Sequence, residues 1–433
     1  MKLKSIICLS LLFLISPISW GVNDVVGDIP SYFFYQLKEK TDIIKKKNRQ
    51  GASFVFITDT HVKSNEMHSP QLIKYVLDNT DIHTVIWGGD AIMQYGGTVE
   101  VQWNVQLRFD SILNKSCNLY KVRGNHDFSI LSKDGSIDML FSNKESAKLL
   151  FANPPSGIHR NINDPGGCYY YFDDNNNKLR FIIFDTTDSV PSKNRSWGNI
   201  PYVHDSQLQW IVDSAVSTTR RGYDMVFVSH IPLPKDTTKK TELWKLKRLV
   251  DGINSYSSGM IGNVKYDFTK LKETKVLMCV AGHIHRDSEK YVDGVLYLTT
   301  ANDGKWNVKK KGNDVPARKV GTVSEQCFDC FCISKDKKIV HTYRVGYGND
   351  RHFHLEPLIL SVNKEIKIKS MFDGSVSVKE LNTSAKSKKK GKTSNGILSI
   401  DEEGGIKGIR KGNTTLVVQD SKGNKEFINI IVQ

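Results

Sequence analysis

The stretch Ser53-Phe54-Val55-Phe56-Ile57-Thr58-Asp59-Thr60-His61 joins a short apolar run to a polar loop that carries an aspartate and a histidine. A β-branched and aromatic run of this length, bounded by polar residues, reads as a strand buried on both faces. The same pattern recurs at residues 84–87, 117–122, 180–184, 225–228 and 276–280, each time closing on a polar loop. Helix-like stretches lie between. Residues 70–77 place apolar side chains at helical spacing after a Ser-Pro start, and residues 204–216 present Leu208, Ile211, Val212 and Ala215 on one side after an Asp205 cap. Strands alternating with helices predict an α/β core with added antiparallel edges, whose site gathers at the carboxyl ends of the strands.

On the amino-terminal side lies a polar, lysine-rich lead-in that ends at Lys45-Lys46-Lys47-Asn48-Arg49-Gln50. On the other side, from about Leu355, short alternating segments at 365–368, 376–378, 414–418 and 427–432 are separated by Gly, Asn and Asp turns. They predict a small all-β module. Its basic run at 384–392 reads as a solvated loop between strands, with contact to an anionic polymer as the functional alternative.

With 433 residues, 39% hydrophobic and 25% charged, the chain is long enough for a real core and is neither disordered nor fibrous. Its length favours two domains. The 61 Lys+Arg against 46 Asp+Glu give a net charge of +15, which draws anions without choosing among them.

The first residues suggest export. Lys2 and Lys4 precede an apolar run at 6–18, and Ser19-Trp20-Gly21 offers small residues where a signal peptidase reads. The expected signal peptide is residues 1–21, and no later run is long and apolar enough to span a bilayer, so no transmembrane segment is expected after cleavage. Secretion, to a periplasm or the cell surface, follows. Six cysteines then remain, too sparse for a disulfide scaffold but compatible with one pair. The cluster Cys327-Phe328-Asp329-Cys330-Phe331-Cys332 has no second CxxC and no histidine at ligand spacing, so it reads as structural or disulfide-forming.

Five polar pieces follow strand ends: Asp59-Thr60-His61, Gly88-Gly89-Asp90, Gly124-Asn125-His126-Asp127, Ser229-His230 and Gly282-His283-Ile284-His285. Side chains two apart in extended backbone point the same way, so Asp59 with His61, and His283 with His285, can each converge on one place. Imidazole, carboxylate and amide oxygen without thiolate suit Mn, Zn, Fe or Ni rather than a structural zinc. Asp90 has two oxygens with which to bridge two such ions, which at about 3.5 to 4 Å apart clamp the attacking and leaving oxygens of a phosphoryl displacement and turn a bridging water into hydroxide. His126, oriented by Asp127, can protonate the leaving alkoxide. Singly each piece is weak, since a lone His230 is more often a core residue and Gly-Asn-His-Asp is a good turn; their joint order carries the argument.

That ordered set resembles the calcineurin-like metallophosphoesterases over about residues 52 to 345. The resemblance implies a four-layer α/β/β/α sandwich, an enzyme that hydrolyses phosphoric esters, and a two-metal centre. It implies Asp59, His61 and His285 on one divalent ion, Asn125, His230 and His283 on the other, Asp90 shared, and His126 as catalytic imidazole. Purple acid phosphatases in that superfamily carry a tyrosine three residues after the bridging aspartate; here Met93 stands there and Tyr95 lies farther on, against a ferric-tyrosinate site. The C-terminal segment, with Gly405-Ile406-Lys407-Gly408-Ile409 leading into Gly412-Asn413-Thr414-Thr415, resembles bacterial Ig-like group 2 domains. The domain expectation is therefore 22–350 for the phosphoesterase and 355–433 for the Ig-like module.

The leading expectation is an exported phosphomonoesterase or phosphodiesterase acting on a phosphorylated substrate, with the C-terminal module touching cell-envelope glycan or an anionic polymer. The alternatives are an adhesion protein that uses the fold as scaffold, disfavoured by a ligand set with no member missing, and a metal-dependent nuclease. Nucleic acid is disfavoured because much of the positive charge lies in the lead-in and tail.

Overall fold

The computed structural model describes residues 29–47, 51–61, 68–92, 107, 109–113, 116–127, 129–131, 137–188, 201–304, 318–334, 336, 338–381, 396–401 and 404–433. The signal segment, Met93, Tyr95, residues 189–200 and the basic run 384–392 lie outside the described residues. No helix among the described residues is long and apolar enough to cross a membrane.

Two large sheets face one another. The first runs Asn118–Lys121, Thr84–Trp87, Ala52–Ile57, Cys327–Ser334, Ile339–Gly346, Arg351–His354, Lys425–Val432, Gly412–Asp420, Val376–Leu381, with Leu358–Leu360 also paired to Lys425–Val432. The second runs His159–Arg160, Tyr170–Asp174, Leu179–Phe184, Asp224–Ser229, Val276–Ala281, Val295–Thr299, Ser288–Val292. Ala52–Ile57 is parallel to Thr84–Trp87, and that strand to Asn118–Lys121; Leu179–Phe184, Asp224–Ser229, Val276–Ala281 and Val295–Thr299 are likewise parallel neighbours. The expected strands thus fall within a residue of where the apolar runs put them, because a strand buried on both faces cannot tolerate polar residues along its length.

Alternation assigns the faces. Phe54, Phe56, Phe331, Phe181, Val226, Val228, Met278 and Val280 meet between the sheets, with the Phe54 and Phe331 rings stacked at 4.7 Å. Val55, Ile57, Val85 and Trp87 point outward under the helices Ser31–Lys47 and Ser69–Asp78. On the other side Phe227, Met225 and Cys279 pack under Leu208, Ile211, Leu246 and Leu249. The layer order is therefore helix, sheet, sheet, helix. Losing one of the central rings, as in Phe54→Ala, costs about 3 to 5 kcal/mol through transfer and cavity terms.

Several expectations are corrected. The lysine-rich lead-in is in fact a 17-residue helix, Ser31–Lys47, whose Phe33, Leu37 and Ile44 are buried; five lysines and other polar residues interrupt that stripe and hide it. Asp205 is the first helical residue and not a cap: His204 holds the cap position, and the Asp205 carboxylate accepts from Lys245 Nζ at 2.7 Å and Asn263 Nδ2 at 2.9 Å. The helix widens to a π turn over Ile211–Val216. All six cysteines are free, and Cys327, Cys330 and Cys332 are buried in one strand, so the structural use holds and the disulfide does not.

The C-terminal residues form a second, three-stranded sheet, Glu365–Lys367, Gly405–Gly408 and Leu398–Ile400, which encloses Leu360, Leu398, Ile406, Leu416, Val418, Ile428, Ile430 and Val432 against the first. This all-β region is not hung on a linker. Lys425–Val432 pairs in parallel with Arg351–His354, so the sheet that begins at Asn118–Lys121 runs unbroken into it, and Val417 and Phe427 join the core between the two large sheets.

Candidate metal centre

The polar pieces all leave the carboxyl ends of parallel strands: Asp59, Asp90 and Asn125 from the first sheet, His230 and His283 from the second. Face-to-face sheets bring these ends to one place. Asp59 N–H donates to the Gly89 carbonyl at 2.9 Å, His61 N–H to the Asp90 carbonyl at 3.1 Å and Gly282 N–H to the His230 carbonyl at 3.1 Å, so the loops are stitched to each other.

The local backbone is unusual. Asp59, His61, Asp90, His283 and His285 all have φ between 42° and 68°. The pairs Asp59/His61 and His283/His285 therefore converge through left-handed turns and not, as extended spacing suggested, along a strand. Such φ values cost a non-glycine residue of order 1 to 3 kcal/mol and persist where surrounding structure over-determines them. Neighbouring glycines make the crowding possible: a Cβ on Gly124 would lie 2.2 Å from Asp90 N and Oδ1, and one on Gly282 2.1 Å from Thr58 Oγ1.

Each carboxylate has one oxygen tied down by backbone or hydroxyl donors and the other turned toward the histidines. Asp59 Oδ2 accepts from Thr58 Oγ1 at 2.8 Å and from His283 N–H at 2.9 Å, whereas its buried Oδ1 accepts no hydrogen bond and faces His285 Nε2 at 3.1 Å and His61 Nε2 at 3.8 Å. Asp90 Oδ1 accepts from His126 N–H at 2.7 Å, leaving Oδ2 3.0 Å from His230 Nε2 and 3.8 Å from His61 Nε2. His230 Nδ1–H donates to the Gly88 carbonyl at 2.9 Å, which turns Nε2 inward, and Asn125 Oδ1 sits 3.1 Å from that Nε2 and 2.8 Å from His283 Nδ1.

Two donor groups result, each with its ligand atoms within 4.8 Å of one another: Asp59, His61, Asp90 and His285, and Asp90, His230 and His283. Asp90 belongs to both. The donors suit a pair of cations on their own chemistry: carboxylate and imidazole atoms without thiolate converge, and His61 Nε2 and His285 Nε2 stand 3.0 Å apart, close enough for one ring to donate to the other or for both to face one cation. Burial holds His61 and His283 down to about 4 against the pull of the carboxylates, so both are neutral donors at pH 7. Burial would lower His230 too, but Asp90 and Asp59 outweigh it and raise it to about 10. That proton must leave when a cation takes over the charge. Burial pushes Asp59 up while His230 and His285 hold it at about 2; His230 and His126 likewise keep Asp90 well below the usual carboxylate range.

His126 stands at the rim, its side chain 19% exposed, with Nε2 3.8 Å from Asp90 Oδ2. Asp127 does not orient it. Its carboxylate is engaged by three backbone amides, Ala91 at 2.8 Å, Asp90 at 2.9 Å and Gly124 at 2.7 Å, so it fixes the two loops that carry Asp90 and Asn125. Burial, then the charge of Asp90, raise it to about 6. Among the residues that sequence reasoning missed are Thr58, which aims Asp59, and Asp303 and Gly304, whose N–H groups donate to the carbonyls of Thr58 and Asp59. An ordinary Thr or Asp-Gly in a loop gives no signal in sequence. Residues 185–188 also border this region: Asp185 pairs with buried Arg123, and Thr186 Oγ1 accepts from Ile231 N–H at 3.1 Å.

No match is found among the curated proteins. Among solved structures the fold is similar to a dimetal phosphatase from Danio rerio at 14% identity, covering 70% of this chain and 99% of that one with a TM-score of 0.44. It is also similar to GAP50, the anchor in the inner membrane complex of Plasmodium, at 13% identity, 69% and 85% coverage and a TM-score of 0.39. A third, the phosphopantetheinyl hydrolase of Mycobacterium tuberculosis, has 13% identity, 58% and 90% coverage and a TM-score of 0.29. The model of the calcineurin-like phosphoesterases matches residues 52–287, more than half of the chain and every one of the polar pieces above, and the protein belongs to that family.

Proposed function

We propose that the protein is an exported phosphoesterase that uses two divalent ions, of Mn, Zn, Fe or Ni, to hydrolyse a phosphomonoester or phosphodiester. The observation that carries this reading is the sharing of Asp90 between two donor groups that have no other member in common. Asp59, His61 and His285 would hold one ion, Asn125, His230 and His283 the other, with Asp90 shared between them. When bound, the ions supply Lewis-acid activation of water and of the phosphoryl oxygens.

The chain's own groups do the rest. Asp59 Oδ1 and the neutral His61 and His283 offer lone pairs that need no deprotonation at neutral pH, whereas His230 would release a proton on meeting a cation. His126, at the rim and free of the Asp127 carboxylate, gives a proton from Nε2 to the departing alkoxide. The Asp127 clamp keeps Asp90 and Asn125 at fixed separation, so the phosphoryl group meets a prearranged set of charges.

The same reading takes residues 1–21 as a signal peptide, the protein as periplasmic or cell-surface, and residues 355–433 as a group 2 Ig-like domain that touches cell-envelope glycan or an anionic polymer. Its support is the apolar run at 6–18 and the two-sheet, all-β packing around Leu416 and Ile430. The test is hydrolysis of p-nitrophenyl phosphate, its bis ester and DNA by chelator-stripped protein re-supplied with each ion. Activity on one ester that returns with metal is expected; metal binding without hydrolysis of any of the three removes the enzymatic reading.

A further inference from the structure

Among the described residues a buried ionic cluster interrupts the apolar layer between the sheets, and it touches the loop that carries His285. Asp329, wholly buried in the middle of Cys327–Ser334, accepts from Arg344 Nε at 2.7 Å and from an Arg351 terminal nitrogen at 2.9 Å. Arg344 also donates to Asp287 Oδ1 at 2.8 Å and to the Tyr347 carbonyl at 2.8 Å. Arg351 also reaches Glu289 Oε1 at 3.1 Å, the Thr299 carbonyl at 3.2 Å and Asp287 Oδ1 at 3.3 Å. The two arginines belong to the first sheet, whereas Asp287, Glu289 and Thr299 belong to the second or to the loop entering it. Burying these charges is expensive, and the cost is offset by hydrogen bonds that cross from one sheet to the other.

Asp287 lies two residues beyond His285. Its Oδ1 accepts from Ala301 N–H at 3.0 Å, and Thr299 Oγ1 donates to the Arg286 carbonyl at 3.0 Å, so the segment from 285 to 287 is held from both sides. His285 itself sits at φ 54°, a conformation that unconstrained backbone would leave. We propose that Arg344 and Arg351 are positioning residues that act through Asp287 to keep His285 aimed at Asp59 and His61, and so set the affinity of that one of the two metal positions. Arg351 stands on the strand to which the C-terminal strand Lys425–Val432 is paired, so the all-β region buttresses the same clamp.

The inference rests on the two-metal reading, and the experiment separates the two. Mn²⁺ titration of the stripped full chain resolves two binding events if that reading is right; a wild type that binds none sinks the reading. In Asp287→Ala and Arg351→Met the expected result is a loss of about 10- to 100-fold in one event with the other left near its wild-type value, the size typical of removing an outer partner of a ligand. A metal-free readout accompanies it: the imidazole signals of His285, identified by a His285→Ala variant, shift in both variants while those of His230 do not. Asp287 is 29% exposed on its side chain, so Asp287→Ala decides alone if Arg351→Met does not fold. Unchanged affinities, or equal weakening of both events with no selective His285 shift, overturn the proposal.

Discussion

The loops at the carboxyl ends of the central strands and the turns of the C-terminal all-β region solve the same geometric problem with opposite means. In the C-terminal region the left-handed positions belong to Gly374, Gly404, Gly423 and Asn363, residues that adopt them at little cost. At the metal centre they belong to Asp59, His61, Asp90, His283 and His285. The C-terminal turns spend their polar groups on each other, as where Asp420 Oδ1 accepts from the N–H groups of Lys422 and Asn424. The centre leaves Asp59 Oδ1, His61 Nδ1 and His126 Nδ1 buried and unpartnered. Strain and unsatisfied polar atoms gathered in one place, beside a region whose described residues leave no buried side-chain atom unpartnered, mark where stability has been given up for chemistry.

The contrast is breakable, most severely at its centre. Asp90→Asn removes charge from both donor groups at once and is expected to bring phosphoesterase activity to background and to abolish two-ion binding, read by activity and metal analysis together. Retention of two ions would mean that Asp90 is not shared. His126→Ala should lower kcat by about a hundredfold to ten-thousandfold while the bound metal stays the same, the separation expected of a proton donor that is not a ligand; a parallel loss of metal would make His126 a ligand.

On the other side of the comparison, Phe427→Ala removes a ring that stacks on Phe353 at 5.0 Å and lies in the core between the large sheets. It should cost about 3 to 5 kcal/mol and lower the melting temperature of a single cooperative transition. Two transitions, with only one displaced, would show that the C-terminal region unfolds by itself. The smallest effect concerns pH. Glu426 is buried and accepts from His354 Nε2 at 2.8 Å and Met371 N–H at 2.9 Å; burial raises its pKa, but His354 and the amide outweigh this and lower it. A carboxylate depressed on folding contributes stability that is fully present above its unfolded value near 4.3 and is lost as pH falls through the folded value. Glu426→Gln should flatten that acid limb of the stability curve, and an unchanged limb would remove Glu426 from it.

How much of this was legible beforehand differs by element. The buried strands were, because residues 84–87 or 276–280 are apolar runs too short for a helix and closed by polar loops, the pattern of a segment hidden on both faces. The helix Ser31–Lys47 was not, since three buried apolar residues among many lysines make a stripe too thin to detect. Asp127 was read as a partner of His126 because it is next in the chain; the fold instead turns its carboxylate onto Gly124, Asp90 and Ala91. Adjacency in sequence says little about where a side chain points in a turn.

The sequence by itself determined the strand set, the all-β tail and the ordered ligands, since residue chemistry and hydrophobic period are local properties. Tertiary structure alone decided the rest. Two sheets had to stack before His230 could meet Asp90, left-handed turns had to be imposed before Asp59 and His61 could converge, and a parallel pairing of Arg351–His354 with Lys425–Val432 made the tail part of the main sheet. Each depends on contacts between residues far apart in the chain, for which no local pattern carries a signal.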